Sequence, residues 1–120
     1  MRKFYIYIAG PYSNGDVARN VRRAIYNANL LRQLPNPDDN FVLVPYIPHL
    51  SHFWHLLHPQ EYNFWMDLGM DWLERCDCVL RLQGDSPGAD KEVGLAKARM
   101  IPVFYEIGHV INWAKKETKC

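Results

Sequence analysis

The stretch that decides the fold stands near the start of the chain and reads Phe4-Tyr5-Ile6-Tyr7-Ile8-Ala9-Gly10-Pro11. Its first six residues are mostly aromatic or β-branched, which predicts a strand buried on both faces, and Gly10-Pro11 ends it. Apolar runs at 41–44, 78–82 and 101–105 predict three more strands of the same kind. Because helical segments separate these runs, the chain is predicted to be an α/β protein with a parallel sheet and right-handed crossovers.

The helices are predicted from apolar residues that recur at the helical period. Between about residues 15 and 34, the apolar positions 17, 21, 24, 25, 28 and 31 fall on one face, and three arginines lie off it. Further helices are predicted over 59–75, 86–99 and 110–116, while 35–40 is predicted to be a loop. Since parallel sheets carry their sites at the carboxyl ends of the strands, the segments to search are 10–16, 45–58, 83–92 and 106–109.

Composition limits the classes of function. A chain of 120 residues is about the length of one domain, so residues 1–120 are predicted to form a single one. A net charge of +1 argues against a nucleic-acid polymer as partner. The odd set of three cysteines, which are Cys76, Cys78 and Cys120, builds no disulfide framework and favours a reducing, cytoplasmic location. The apolar run after Met1 is too short for a signal peptide, and no run is long enough to span a membrane.

The segment from Gly84 to Gly94 carries the strongest chemical signal. Ser86 followed by Pro87 is a typical helix start, with a hydroxyl N-cap and a proline at the first helical position. The backbone amides at such a start favour an anion, although Ser86 could also serve as a cap alone. Six residues further on, Glu92 lies at the edge of the face predicted to pack on the sheet.

Glu92 is therefore a candidate for a functional carboxylate. Its neighbours are small, among them Gly88, and they leave room beside it. A half-buried carboxylate needs a partner or a function, but Glu92 could also border the interface and reach solvent. The hydroxyl of Tyr7, near the end of the first strand, could meet it, and Gly10 permits close approach of a ligand to the backbone.

Four histidines recur at every third position, and they suggest a metal site that the geometry disfavours. They are His49, His52, His55 and His58. On a helix such positions sweep about half of the circumference and cannot converge on one ion. The segment is interpreted instead as a pocket lining or a partly exposed loop. Cys76-Asp77-Cys78 lacks the spacing of a zinc or redox pair, and neither phosphate-binding glycine motif occurs, so no metal and no cofactor are predicted.

Two of these motifs together resemble the nucleoside 2-deoxyribosyltransferase-like family, which includes nucleoside 5′-monophosphate N-glycosidases. The resemblance rests on Tyr7-Ile8-Ala9-Gly10-Pro11-Tyr12 after the first strand and on Ser86-Pro87-Gly88-Ala89-Asp90-Lys91-Glu92 after the third. It extends over about residues 4–105 and takes in 72–77 and 101–105. It implies a flavodoxin-like or Rossmann-like three-layer sandwich with a four- to five-stranded parallel sheet.

The resemblance also implies a mechanism and a substrate class. Glu92 would attack the anomeric carbon and form a covalent glycosyl ester, which water or another base then resolves, and Tyr7 would orient it. Ser86 stands where the transferases carry an aspartate and the N-glycosidases carry a serine that touches phosphate. This favours a nucleotide over a nucleoside as substrate. No cofactor is required, because the carboxylate supplies the nucleophile.

Two positions depart from the family pattern. Gly69 stands where a catalytic aspartate is expected, and Asp71 is the candidate to replace it if the helix end is distorted. Pro11 stands where a phosphate-binding hydroxyl is expected, which leaves Ser13. The predicted site therefore consists of catalytic Glu92, Tyr7 and Asp71, and of substrate-binding Gly10, Ser13, Ser86 and Gly88.

Three hypotheses follow. The leading one is cleavage of the N-glycosidic bond of a nucleoside or its 5′-monophosphate. The alternatives are a nucleotide-binding or sensor module that has lost catalysis, motivated by Gly69, and a metal-dependent protein that uses the histidine segment. A homodimer or higher homo-oligomer is expected, with an aromatic surface as the contact, formed by Phe53, Trp54, Phe64 and Trp65. The base, the choice of ribose or 2-deoxyribose, and the choice of transferase or hydrolase stay open.

Overall fold

A computed structural model describes residues 1–119 of the chain. Four strands, β1 (Arg2–Ala9), β2 (Phe41–Tyr46), β3 (Cys78–Arg81) and β4 (Val103–Phe104), form a parallel sheet in the order β2-β1-β3-β4. The helices are α1 (Val17–Gln33), α2 (Ser51–Leu57), α3 (Tyr62–Leu73), α4 (Pro87–Ala98) and α5 (Ile107–Lys119). This strand order is that of the flavodoxin-like fold, in which a crevice opens at the carboxyl ends of β1 and β3. The predicted fold class is confirmed.

Helices cover both faces of the sheet and give three layers. On one face Phe4, Ile6 and Ile8 of β1 pack with buried residues of α1 and α5. On the other face Tyr7 and Ala9 pack with buried residues of α3 and α4. Successive side chains of a strand point to opposite faces, so β1 supplies both cores, as its apolar sequence predicts. The same alternation turns Tyr7 towards α3 and α4.

The centre of the sheet is fixed by hydrogen bonds between β1 and the turn before β3. The backbone amide of Tyr5 donates to the Asp77 carboxylate over 2.7 Å, and the amide of Asp77 donates to the Tyr5 carbonyl over 2.7 Å. This double contact sets the register of β3 on β1, in which Tyr7 pairs with Val79 and Ala9 with Arg81. The register brings the ends of the two strands level beneath α4.

The predicted boundaries differ from the observed ones in a few places. Strand β2 continues through Pro45 to Tyr46, because β2 is an edge strand, where the missing amide of a proline is tolerated. The predicted histidine-rich loop contains a 3₁₀ turn at Pro48–Leu50 and the short helix α2. Helix α3 is shorter than predicted, α5 is longer, and a 3₁₀ turn lies within the predicted 35–40 loop. Ile25, predicted on the packed face of α1, is exposed because the buried face is narrower than the apolar stripe.

Two further features bear on the predicted classes. Cys78 is buried in the core and Cys76 is partly buried, both as free thiols, whereas Cys120 lies outside the described residues. Burial raises the pKa of Cys76 to about 11, so its thiol stays protonated at neutral pH. Over residues 1–119, no helix has both the length and the apolar character that crossing a bilayer would require.

Candidate active site

A cavity of about 650 Å³ opens at the carboxyl ends of the central strands. Its walls come from the turn after β1, from the segment between β2 and the middle of α3, and from the first turns of α4. Six predicted site residues line it, and they are Tyr7, Gly10, Ser13, Ser86, Gly88 and Glu92. Asp71 is exposed and is absent from the lining, so the structure does not bring this predicted residue to the site. The predicted segment 106–109 does not reach the cavity either.

Glu92 and Tyr7 form a buried pair in this cavity. Glu92 is only 8% exposed, and its Oε2 accepts a hydrogen bond from the hydroxyl of the fully buried Tyr7. The ring of Tyr7 stacks on that of Tyr46 with centroids 5.6 Å apart, which holds the hydroxyl in place. The alternative in which Glu92 reaches solvent is therefore wrong.

The electrostatic environment of the pair favours a carboxylate of unusual basicity. Burial raises the pKa of Glu92 to about 7, against the opposing effects of the Tyr7 hydrogen bond and the charge of Arg81. Burial and the negative charge of Glu92 also raise the pKa of Tyr7, so its hydroxyl keeps its proton and remains the donor. Glu92 therefore changes charge near neutral pH, which is typical of a catalytic carboxylate.

Arg81 anchors the loop that leads into α4. Its guanidinium is buried at the end of β3 and donates to the carbonyls of Leu82 and Gly84, the second over 3.0 Å. It also donates to the Asp90 carboxylate over 3.0 Å. One cation thus ties two loop carbonyls to the first turn of α4, and this fixes the approach to Ser86.

Ser86 both caps α4 and lines the cavity. Its Oγ accepts a hydrogen bond of 3.1 Å from the amide of Ala89, which leaves its own hydroxyl hydrogen available to a ligand. Pro87 has no amide hydrogen and that of Ala89 is taken, which leaves the amides of Ser86 and Gly88 at this helix start. The helix start thus offers a hydroxyl and two amides to an anion.

The two predicted glycines of the site, Gly10 and Gly88, are each required by a different close contact. A Cβ at Gly10 would lie 3.0 Å from the Cβ of Leu82, so close strand packing accounts for this glycine. A Cβ at Gly88 would lie 3.3 Å from both Met66 Sδ and the Tyr62 hydroxyl, so α3 lies close against the start of α4. Both positions also line the cavity.

Gly69 faces the buried pair directly. A Cβ there would lie 2.6 Å from the Tyr7 hydroxyl oxygen and 3.2 Å from Oε2 of Glu92. The backbone of α3 therefore approaches the pair so closely that no side chain fits. Among the residues of 1–119 that line the cavity, Glu92 is the one carboxylate. Position 69, where the deoxyribosyltransferase-like pattern has a catalytic aspartate, thus lies beside the buried pair but carries no side chain.

The histidine segment contributes two side chains, His49 and His55, to the cavity lining. His49 is buried in the cavity wall with Nε2 3.1 Å from the Pro11 carbonyl, and burial lowers its pKa. His52 pairs with the Tyr12 hydroxyl, and His55 contacts Trp65. In the part of the chain that is described, no group of three or more His, Cys, Asp or Glu side chains is placed to hold a metal ion.

Sequence reasoning left several polar lining residues without a role, among them Asn14, Ser51, Gln60, Tyr62 and Lys91. Asn14 donates to the Asp85 carbonyl over 2.8 Å, which joins the turn after β1 to the loop before α4. His49 and His55 belong to the segment 45–58 that the sequence marked for search and interpreted as a pocket lining or a partly exposed loop, and both line the cavity.

The sheet order and the cavity over the ends of β1 and β3 define an α/β protein of flavodoxin-like fold with a buried carboxylate in its ligand crevice. Residues 4–106 match a family described as "Domain of unknown function (DUF7768)". The chain belongs to this family. No curated protein gives a significant match to the sequence.

Five solved chains match the structure. One is the 2-deoxyribosyltransferase from the psychrotolerant bacterium Bacillus psychrosaccharolyticus, with a TM-score of 0.55 and 17% sequence identity. The match covers 82% of this chain and 69% of the other. At this level of identity the similarity bears on the fold.

Proposed function

We propose that this protein cleaves the N-glycosidic bond of a nucleoside or its 5′-monophosphate, with Glu92 as the nucleophile. The observation that carries the proposal is the buried carboxylate of Glu92, held by Tyr7 in a nucleotide-sized cavity of about 650 Å³. The similarity in fold to a 2-deoxyribosyltransferase supports the same class of chemistry.

The chemistry resembles that of retaining glycosidases. A carboxylate oxygen of Glu92 bonds to the anomeric carbon as the bond to the base breaks, and the base leaves with the bonding electrons. Water or a second base then attacks the same carbon and frees Glu92. Tyr7 orients the carboxylate and, as a neutral donor, stabilises its charge before the attack.

A 5′-monophosphate is the substrate that the start of α4 favours. The Ser86 hydroxyl and the Gly88 amide offer hydrogen bonds at a helix N-terminus, where the helix dipole attracts negative charge. Lys91, in the second turn of α4, adds a cation to the same wall of the cavity. We therefore expect the phosphate to bind at this end and the sugar to lie over Glu92.

The experiment that tests the function is a chromatographic screen for free base. Ribo- and deoxyribonucleosides and their 5′-monophosphates are incubated with the protein, with and without a second base, and the products are separated. We expect base release from at least one monophosphate by the wild type and by the control Asp67→Asn, which changes an exposed acid on α3. Glu92→Ala should release none. Equal release by Glu92→Ala, or none by the wild type, contradicts the proposal.

Replacing Ser86 with aspartate tests the phosphate assignment without removing the helix cap. Aspartate caps helices as well as serine does, so the free energy of unfolding should change by less than about 0.5 kcal/mol. A phosphate would lose one charge-assisted hydrogen bond and meet a negative charge, so KM for the monophosphate should rise roughly 10- to 100-fold.

The nucleoside without phosphate serves as the internal control for Ser86→Asp. Its kcat/KM should fall far less than that of the monophosphate, and it can rise if aspartate binds the 5′-hydroxyl. A parallel loss for both substrates would place Ser86 in the cap alone.

A second candidate function is nucleotide binding without turnover. The observation that favours it is the lack of a carboxylate besides Glu92 among the described cavity residues, since Gly69 leaves no acid beside the leaving base. Calorimetric titration with the same nucleotides distinguishes the two. Tight binding with no release of base by the wild type supports a sensor.

We also propose that the protein forms a homo-oligomer through the surface of α2 and the start of α3. Phe53 is 66% exposed and Leu57 is 78% exposed, and Trp54 and Phe64 are also exposed and lie in edge-to-face contact with each other. So many exposed apolar side chains are typical of a protein interface. Light scattering coupled to gel filtration tests this, and a monomer at micromolar concentration contradicts it.

A further inference from the structure

We propose that His55 donates a hydrogen bond from its Nε2 to the departing base and so takes over part of the task of the missing acid at Gly69. The inference rests on the proposed N-glycosidic cleavage and adds a substrate-contacting residue to it. The supporting observation is that two N–H groups, those of Trp65 and Gln60, donate to Nδ1, the other nitrogen of the His55 ring.

The contacts of His55 determine which ring nitrogen carries the hydrogen. Nδ1 lies 2.9 Å from the indole nitrogen of Trp65 and 3.2 Å from the backbone nitrogen of Gln60. Both partners are donors and neither can accept, so Nδ1 must be the acceptor. In the neutral ring the hydrogen is then on Nε2. The Trp65 ring packs edge-on against His55 at 5.6 Å, which also fixes the plane of the imidazole.

The position of His55 suits a donor to the base. His55 and Trp65 both line the cavity that contains Glu92. Among the described residues, Nε2 of His55 has no hydrogen-bond partner, so it is available to a ligand. The pairing of an imidazole edge with an indole ring is also a suitable surface for a planar base.

Several other donors of the cavity are engaged or stand at its phosphate end. His49 uses its Nε2 on the carbonyl of Pro11. Tyr62 lies beside Gly88, and Lys91 lies over the Tyr62 ring at 5.3 Å, so both stand at the phosphate end. Tyr7 donates to Glu92. Of the two histidines that line the cavity, His55 is thus the one with an N–H that has no partner within residues 1–119.

The step balances without any further group on the protein. Glu92 forms a C–O bond to the anomeric carbon, and the C–N bond breaks with its electron pair passing to the base. The Nε2–H of His55 stabilises the charge on the departing base through a hydrogen bond and keeps its proton. The base takes a proton from solvent water, and a second water molecule hydrolyses the glycosyl ester. The hydrolysis returns Glu92 as the carboxylate and releases a proton, which neutralises the hydroxide left when the base was protonated, so one water molecule is consumed over the full cycle.

The test compares leaving groups in variants that separate the two ring nitrogens. His55→Asn keeps an acceptor near Nδ1 and removes the donor at Nε2, whereas His55→Gln places an amide N–H near Nε2. His58→Gln, an exposed histidine at the end of α2, is the matched control. Each is assayed on a purine 5′-monophosphate and on its N7-methylated form, whose base leaves as a neutral molecule without protonation.

We expect His55→Asn to lower kcat roughly 100-fold on the unmethylated substrate, the usual cost of removing one preorganised donor, and less than about threefold on the methylated one. His55→Gln should recover about a tenth or more of the wild-type rate, and His58→Gln should match the wild type. Trp65→Phe removes the N–H that fixes Nδ1, so it should give an intermediate loss with the same dependence on leaving group.

Other outcomes overturn the inference. An equal loss by His55→Asn on both substrates assigns His55 a purely structural role, and no loss on either substrate excludes it from the reaction. A wild type that releases no base from any nucleoside or 5′-monophosphate of the screen overturns the proposed function, and the role of His55 with it. A wild type that is active while His55→Asn keeps its full rate overturns the role of His55 alone.

Discussion

Replacing Glu92 with glutamine is expected to abolish base release and to stabilise the fold at the same time. The loss of activity follows because an amide cannot act as the nucleophile. The gain in stability follows because burial raises the pKa of Glu92 from 4.5 to about 7, so the folded state resists its ionisation. That shift corresponds to about 3 kcal/mol at a pH where the carboxyl group is ionised in both states.

The stabilisation expected from Glu92→Gln depends on pH. Below about pH 4.5 the carboxyl group is protonated in the folded and unfolded protein, and glutamine should be neutral in effect. As the pH rises towards about 7, the unfolded chain ionises while the folded one does not, and the wild type loses stability progressively. Glutamine avoids this loss and still accepts the hydrogen bond from Tyr7. The variant should therefore become more stable than the wild type through this range.

Urea unfolding at pH 4 and pH 8 measures the effect, with base release followed on the same preparations. Asp67→Asn again serves as the control, since Asp67 is exposed. The activity of the wild type should rise as the pH increases through about 7, because Glu92 must be ionised to attack. A Glu92→Gln variant that is less stable at pH 8 than the wild type would contradict the conclusion that burial disfavours the ionised form of Glu92.

Replacing Gly69 with alanine is expected to destabilise the protein and to lower its activity, despite the higher helix propensity of alanine. The new Cβ would lie 2.6 Å from the Tyr7 hydroxyl oxygen, so the pair of Tyr7 and Glu92 must move. Overpacking of this kind costs about 1–3 kcal/mol, of which helix propensity returns about 1 kcal/mol. An aspartate at this position is expected to do no better, since it begins with the same Cβ.

A double-mutant cycle with Tyr7→Phe isolates the contact. Without the hydroxyl, the nearest atom of residue 7 to the new Cβ is the ring carbon Cζ at 3.9 Å, so Gly69→Ala should cost at least about 1 kcal/mol less in that background. Gly94→Ala is the matched control, because a Cβ there meets nothing within 4 Å. It should stabilise α4 by about 0.5–1 kcal/mol. Equal effects at Gly69 in both backgrounds would place the clash elsewhere.

Much of the fold was predictable because buried strands and helices have recognisable apolar patterns in the sequence. The run from Phe4 to Ala9 is apolar on both faces, and such a strand belongs in the middle of a covered sheet. Ser86-Pro87 predicted the start of α4 to the residue, since capping is local chemistry. Helix α2 was missed because a seven-residue helix with one partly covered face has too few turns to establish a period.

The candidate site was predictable only where one residue carries the signal. Glu92 could be singled out because a carboxylate on an apolar edge is unusual, and Tyr7 because its place near the strand end could bring its hydroxyl to that carboxylate, although a tyrosine there is more often a core residue. The meaning of Gly69 and of His55 depends on distances across the fold. Gly69 is important because it lies close to the Tyr7 hydroxyl. His55 is important because the indole of Trp65, ten residues further along the chain, determines which of its ring nitrogens carries the hydrogen. Neither relation has a pattern along the chain.

The edges of the sheet have a consequence for how copies of this protein can associate. On one side β2 carries Pro45, which cannot donate to a neighbouring strand, and on the other side β4 is only two residues long. Both edges therefore discourage the addition of a strand from another chain. Association of copies through their helices is therefore favoured over association through the edges of their sheets. The sheet of one copy is thus poorly suited to continue into the sheet of another.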